Sequence, residues 1–178
     1  MERKCAIKKS CSFYINDMHF ATMVMPFINK QVENGVKFIT FLENNYENNI
    51  ELVLERTLIK EEQKRKILNI RWRENKTNKY VNVEKILKEK IEKDKENIII
   101  VNGNKEYINM MHDFLEKFFA KHNYNESTTI FIMDFYEVGI FNDNIADILD
   151  THEIIFNTSG EHKIEEVFER KKAKIKIN

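Results

Sequence analysis

Apolar residues follow two patterns along the chain. Short, nearly continuous apolar runs occur at residues 11–15, 36–42, 97–103, 128–135 and 153–159. Between most of these runs, apolar residues recur every three or four positions, which is typical of amphipathic helices. Strands that are apolar throughout and separated by helices indicate a parallel sheet covered on both faces. The pattern therefore predicts an α/β fold, a three-layer α/β/α sandwich with a mainly parallel sheet.

The same periodicity and the punctuating residues set the expected helices. Helices are predicted at residues 18–34, 49–68, 82–96, 106–123 and 142–152, with a further strand at 69–74. Asn16 or Asp17 is expected to cap the first helix at its start, and Gly35 to end it. Pro26 should kink that helix or mark a late start, because proline lacks a backbone donor and clashes with the preceding turn.

Composition indicates one globular domain over residues 1–178. Lys and Arg number 29, as do Asp and Glu, so the overall charge gives no reason to expect nucleic acid or an anionic membrane as a partner. The basic end, at about residues 170–178, is interpreted as a solvated tail. Without a membrane-spanning apolar run or a secretory leader, we expect a cytoplasmic protein.

Metal and cofactor chemistry have little support in the sequence. Cys5 and Cys11 are too few for a disulfide scaffold and lack a second ligand pair. No two histidines have metal-ligand spacing within one helix, and His112, beside two methionines, is expected to pack in the core. We therefore expect neither a metal nor a cofactor.

Asp134 ends a buried apolar run, as an acidic magnesium ligand does in nucleotide-hydrolysing enzymes of this architecture. Such enzymes need a glycine-rich loop after the first strand and a lysine for the phosphates. Here that segment reads INDMHFATM, without glycine or lysine. Asp134 is therefore expected to cap the loop after its strand. The alternative is an atypical nucleotide-binding protein that holds magnesium with Asp134 and Glu137.

Ligands of parallel α/β sheets bind beyond the carboxyl ends of the strands. The aromatic and polar residues expected to form a binding site there are Tyr14, His19, Asn102, Tyr136, Glu137 and His152. The aromatic faces would hold a small apolar ligand, and the polar groups would orient it. For His19 and His152, a structural hydrogen bond is the competing interpretation. No Ser-His-Asp or Cys-His arrangement is apparent, so no catalytic residue is assigned.

Several segments resemble the MEDS domain, a sensory domain named for methanogens, methylotrophs and a dichloromethane-responsive regulator. The opening CSFYINDMHFATMVMPFINKQVENGVKFITF is similar to its aromatic strand, its helix leading to PF and its second strand. The middle of the chain resembles the family where Trp72 and Tyr80 precede VEKILKEKI. It does so again at IIIVNGNKEYI, where the family tends to have a strand followed by a glycine and an acidic residue. Near the end, Tyr136-Glu137 stands where the family favours Tyr-Asp, Phe141 follows, and DILDTHEII resembles the family's ending.

Two positions depart from the family. Lys9 lies near the place of a frequent histidine, and Glu153 replaces a common proline, so the role of that first histidine is not transferred. The resemblance implies a RecA-like or KaiC-like sandwich without a Walker A loop that acts in signalling. We therefore expect a non-enzymatic cytoplasmic sensory or regulatory domain that binds a small ligand or a signalling protein, such as a kinase or transcription regulator. In a homodimer, one chain would pass the signal to the second copy. A pure protein-interaction adaptor remains an alternative.

Overall fold

The computed structural model describes residues 5–75, 79–138 and 145–167. The strands are β1 (Ala6–Tyr14), β2 (Lys37–Leu42), β3 (Glu96–Gly103), β4 (Thr129–Glu137), β5 (Ile154–Asn157) and β6 (Gly160–Lys163). The helices are α1 (Asp17–Glu33), α2 (Glu47–Glu55), α3 (Glu61–Leu68), α4 (Tyr80–Lys90), α5 (Lys105–Lys121) and α6 (Ile145–Asp150). A single helical turn follows at residues 164–167.

All the strands form one sheet in the order β2-β3-β4-β1-β5-β6. In this spatial order, the first five strands, β2, β3, β4, β1 and β5, are each parallel to the next. Among the described strands, only β6 is antiparallel to its neighbour, β5. Helices α1, α2 and α3 pack on one face, and α4, α5 and α6 pack on the other. The predicted three-layer α/β/α sandwich with a mainly parallel sheet is confirmed.

Strand β4 lies inside the sheet and contributes to both cores. Its residues Phe131, Met133 and Phe135 pack on the side of α1, while Ile130 and Tyr136 pack on the side of α5. Successive side chains of a strand point to opposite faces. This alternation directs Asp134, a charged residue in an apolar strand, towards the layer of α4, α5 and α6.

Helix α1 begins and ends as the capping residues predict. The Asn16 side chain accepts a hydrogen bond from the backbone N–H of His19 at 2.9 Å. Gly35, with φ of +71°, follows the last turn in the left-handed region that favours glycine. Pro26 lies within a helix that begins at Asp17, so the alternative of a late start was wrong.

The predicted helix at residues 49–68 and the strand at 69–74 were wrong. The helical stretch divides into α2 and α3, and the segment after α3 has no strand pairing. That segment instead covers the outer edge of β2, where Thr40 Oγ1 donates to the carbonyl oxygen of Arg71 at 2.6 Å and the Asn75 N–H donates to that of Leu42 at 2.9 Å. Trp72 is buried there and anchors the segment to the core. The apolar residues that predicted a strand therefore serve this anchoring.

Other boundaries also moved. Strand β1 begins at Ala6 rather than residue 11, and its full length pairs with β4. The prediction missed the first half of the strand because Lys8 and Lys9 interrupt its apolar pattern. Helix α4 ends at Lys90. The strand predicted at 153–159 is β5 followed by a turn, and β6, which was not predicted, completes a hairpin with it. The start of the predicted helix at 142–152, Phe141 and the basic tail at 170–178 lie outside the described residues. Within the described ranges, no helix has both the length and the apolar character needed to cross a membrane.

Candidate functional site

The side of the sheet that carries α5 and α6 holds a buried cluster of His112, Asp134 and His152, called here the His–Asp–His cluster. His112 Nε2 lies 2.6 Å and His152 Nε2 lies 2.7 Å from the same oxygen, Oδ2 of Asp134. The Asp134 side chain is fully buried, that of His152 is 2% exposed and that of His112 is 17% exposed. The cluster therefore meets solvent only past His112.

Three separate elements position these side chains. Asp134 projects from β4, and His112 comes from α5, one turn after the buried Ile108. His152 follows the end of α6, where its backbone N–H donates to the carbonyl oxygen of Leu149 at 3.3 Å. A buried carboxylate requires paired, hydrogen-bonded partners, and the two imidazoles provide them.

Both ring nitrogens of His152 have hydrogen-bond partners. Its Nδ1 lies 2.9 Å from the carbonyl oxygen of Ile148, which can only accept. The Thr151 hydroxyl, 3.0 Å from the same Nδ1, donates to that carbonyl and can accept from the ring. Nδ1 therefore faces two oxygens that can accept a hydrogen bond, and Nε2 faces the Asp134 carboxylate. The His152 ring is thereby held in place against the buried carboxylate.

Asp134 is ionised but not fully paired. Burial raises the pKa of its carboxyl, but the hydrogen bonds from His112 and His152 outweigh burial and hold the pKa below its ordinary value. The second carboxylate oxygen, Oδ1, has no hydrogen-bond partner among the residues that the structure describes. The cluster thus keeps one free acceptor in the interior of the protein.

Cys11 and Tyr136 border the cluster. Cys11 lies opposite Asp134 in the β1–β4 register, and the Tyr136 ring meets that of His152 edge-on, at 6.0 Å between centroids. Burial and the nearby Asp134 charge raise the pKa of the Cys11 thiol to about 12. Burial, Asp134 and Cys11 also raise the pKa of Tyr136. Both groups therefore remain neutral beside the carboxylate.

Two of the residues predicted to bind a ligand lie on the opposite face of the sheet. The Tyr14 hydroxyl is 2.9 Å from that of Tyr46 and 3.3 Å from Asn102 Oδ1, and all three residues are fully buried. Phe20 packs against both tyrosine rings, with centroids 5.3 Å from Tyr14 and 4.6 Å from Tyr46. In this conformation the aromatic faces contact the core and not an open surface.

His19 and Glu137 lie at the carboxyl edge of the sheet. His19 Nδ1 accepts a hydrogen bond from the backbone N–H of Ile15 at 3.2 Å, which is the structural role that competed with ligand binding. Glu137 is exposed, and partial burial together with the charges of Asp17 and Glu43 raises its pKa. The six predicted residues thus form no single cluster. The structure brings together the Tyr14–Asn102 and Tyr136–His152 pairs and places Glu137 beside Tyr14 in the β1–β4 register.

Two sequence-based expectations about this region were wrong. Asp134 does not cap the following loop, because it lies within β4 and pairs with two histidines. His112 does more than pack, because its ring nitrogen reaches the carboxylate. A signal for this cluster was present: a carboxylate in an otherwise apolar strand needs a partner, and His112 lies on the apolar side of its helix. The sequence spacing of the three residues carries no such signal.

The donor atoms of the cluster are also arranged as in a metal centre. One ligand atom from each of His112, Asp134 and His152 lies within 4.8 Å of the other two. Two imidazole nitrogens and one carboxylate oxygen can share protons, as they do here, or coordinate an ion.

Comparisons with protein-family models, curated proteins and solved structures gave no match to this chain. The fold and site define its class as a three-layer α/β domain with a buried His–Asp–His cluster.

Proposed function

We propose that this chain is a non-enzymatic regulatory domain of the cytoplasm whose sensing centre, the His–Asp–His cluster, binds a small ligand. The observation that carries the proposal is that Oδ1 of the buried Asp134 has no hydrogen-bond partner in the described part of the chain. A buried acceptor without a partner costs about 1–3 kcal/mol. A ligand that bonds to this oxygen recovers that energy.

The position of the cluster supports a regulatory role. It joins α5, β4 and the connection from α6 to β5, so a ligand contacts three elements at once. Strand β5 pairs with β1 through only Ser10–Ile154 and Cys11–Ile155, and the β5–β6 hairpin begins two residues after His152. A small displacement of His152 is thereby passed to a weakly held edge of the sheet.

The sequence resemblance to the MEDS domain points in the same direction, since that domain is sensory. A magnesium-dependent nucleotide-binding protein is less compatible with this geometry, because imidazole nitrogens face Asp134 and magnesium prefers oxygen ligands. The small apolar ligand expected from sequence is likewise less suitable for a charged cluster.

A protein-interaction adaptor is a second candidate, and exposed apolar residues favour it. Ile15 is 64% exposed and Met18 is 36% exposed, both beside the carboxyl edge of the sheet. These residues would contact a signalling protein, such as a kinase or transcription regulator, or a second copy in a homodimer. In this candidate, the His–Asp–His cluster serves stability alone.

Native mass spectrometry of protein purified without chelators separates the two candidates. We expect a bound mass on the wild type that is lost in His152→Gln and retained in His122→Gln. His122 is a matched control, because it also bonds to a carboxylate, Glu84 at 3.0 Å, but at a partly exposed site. Wild-type protein that carries no added mass, or the same mass in His152→Gln, would contradict the proposed ligand site.

Amide hydrogen exchange then tests the regulatory step. Ligand binding should slow exchange in the β5–β6 hairpin as well as around His152, because the hairpin follows the cluster directly. Protection confined to α5 and β4 would leave a ligand site without the proposed coupling to the sheet edge.

A further inference from the structure

We propose that the ligand of the His–Asp–His cluster is a divalent transition-metal ion of the zinc type. This inference rests on the proposed function, in that it identifies the ligand of the same cluster. His112 and His152 would each supply Nε2, and Asp134 would supply a carboxylate oxygen.

The donor set selects this class of ion. Two imidazoles and one carboxylate with an open fourth position are a common set for Zn²⁺ and related ions. Ca²⁺ and Mg²⁺ prefer sites made of oxygen atoms, and the cluster offers those ions only Asp134. The cluster therefore binds Zn²⁺, Co²⁺ or Ni²⁺ in preference to Mg²⁺.

The geometry requires a small opening of the cluster. The Nε2 to Oδ2 distances of 2.6 and 2.7 Å are those of hydrogen bonds. Bonds of about 2.0–2.1 Å to a tetrahedral ion separate neighbouring donor atoms by about 3.3 Å. The rings of His112 and His152 must thus withdraw by roughly 0.7 and 0.6 Å. His112 is the more exposed of the two, so it can move and also marks the entry path for the ion.

The surroundings of His152 are those of a metal ligand. A ligating histidine usually donates its other ring N–H to a backbone carbonyl, which fixes the ring and directs the free nitrogen at the ion. His152 Nδ1 has this partner in the Ile148 carbonyl oxygen at 2.9 Å. The ion would lie between His152 Nε2 and the carboxylate, and Asp134 Oδ1, which has no partner among the described residues, provides a second oxygen for the ion or for a bound water.

The test is titration calorimetry of the full chain, freed of metal by a chelator, with Zn²⁺, Co²⁺ and Mg²⁺. We expect one Zn²⁺ or Co²⁺ per chain and no binding of Mg²⁺. Thr151→Val, which alters a partner of the His152 ring, should weaken Zn²⁺ binding by about 10-fold. His112→Gln removes a ligand and should weaken it by more than about 100-fold. His122→Gln, at the C-cap of the helix that carries His112, should leave the affinity unchanged.

A second readout needs no variant. In nitrogen-detected NMR spectra of wild-type protein, Zn²⁺ should shift the Nε2 resonances of two histidines and leave those of His19, His122 and His162 in place. Equal affinity for Mg²⁺, unchanged Zn²⁺ affinity in His112→Gln, or shifts in other histidines would overturn the metal assignment. If the protein does not bind Zn²⁺ but carries an organic molecule that is lost in His152→Gln, the metal assignment is wrong and the cluster remains a ligand site.

Discussion

Two buried polar groups lie on opposite faces of the same sheet, and they differ in charge. Tyr14, Tyr46 and Asn102 form a neutral network beneath α1, whereas the His–Asp–His cluster beneath α5 contains a carboxylate. An unmet neutral donor or acceptor costs about 1–3 kcal/mol, but an uncompensated buried charge costs several. The neutral network is therefore understandable as part of the core, whereas the charged cluster requires a cation, which can be a proton or a metal ion.

The largest expected effect comes from removing the charge of the cluster. In metal-free protein, Asp134→Asn keeps the shape of the side chain but removes the buried negative charge that His112 and His152 both contact. We expect the free energy of unfolding, measured by urea denaturation, to fall by about 3–5 kcal/mol.

A double variant tests whether charge is the cause. In Asp134→Asn with His152→Gln, the interaction between the two side chains is already lost after the first change, so the second change should cost much less than it does alone. If the two changes simply added, the buried pair would contribute no coupling, and the contrast between the two faces would fail.

Tyr14→Phe probes the neutral face and should have a smaller effect. It removes one hydroxyl, which lies 2.9 Å from the Tyr46 hydroxyl, and retains the ring that packs on Phe20. We expect a loss of about 1–2 kcal/mol in the same denaturation experiment, because a buried partner is left unmet without any unbalanced charge. A loss as large as that of Asp134→Asn would show that charge is not what separates the two faces.

The fold was largely predictable from sequence because it depends on local patterns. The apolar runs predicted β2, β3 and β4, and the capping residues predicted the start and end of α1. The failures occurred where tertiary contacts decide. The segment at residues 69–75 follows a strand-like pattern yet covers the edge of β2, and the charges of Lys8 and Lys9 concealed half of β1.

The candidate site was only partly predictable, because its residues are brought together by the sheet. His152 was among the predicted site residues, and Asp134 was recognised as unusual. His112 was assigned to packing, since nothing local connects it with an acid that lies 22 positions further along the chain. Tyr14 and Asn102 were placed at the correct edge, but strand alternation turns them to the other face.

The smallest expected effect concerns a third group, in which the same chemistry is found at the surface. Glu84 lies 3.0 Å from His122 Nε2, 3.0 Å from Lys121 Nζ and 3.2 Å from Lys88 Nζ. Hydrogen bonds from His122 and Lys121 lower the pKa of Glu84 to about 2 from its ordinary 4.5. The resulting stabilisation is complete above about pH 4.5 and is lost as the pH falls towards about 2.

Glu84→Gln measures that stabilisation without a buried charge. At neutral pH the variant should melt slightly below the wild type, and the difference should shrink as the pH falls through about 2, where the wild-type carboxyl loses its charge. Salt at about 1 M should reduce the difference at neutral pH, because it screens exposed charges over about 3 Å. The contribution of Asp134 should resist the same salt, because Asp134 is fully buried. A melting difference that persists at low pH would mean that Glu84 acts through packing, and the surface pair would then no longer be a valid counterpart of the buried one.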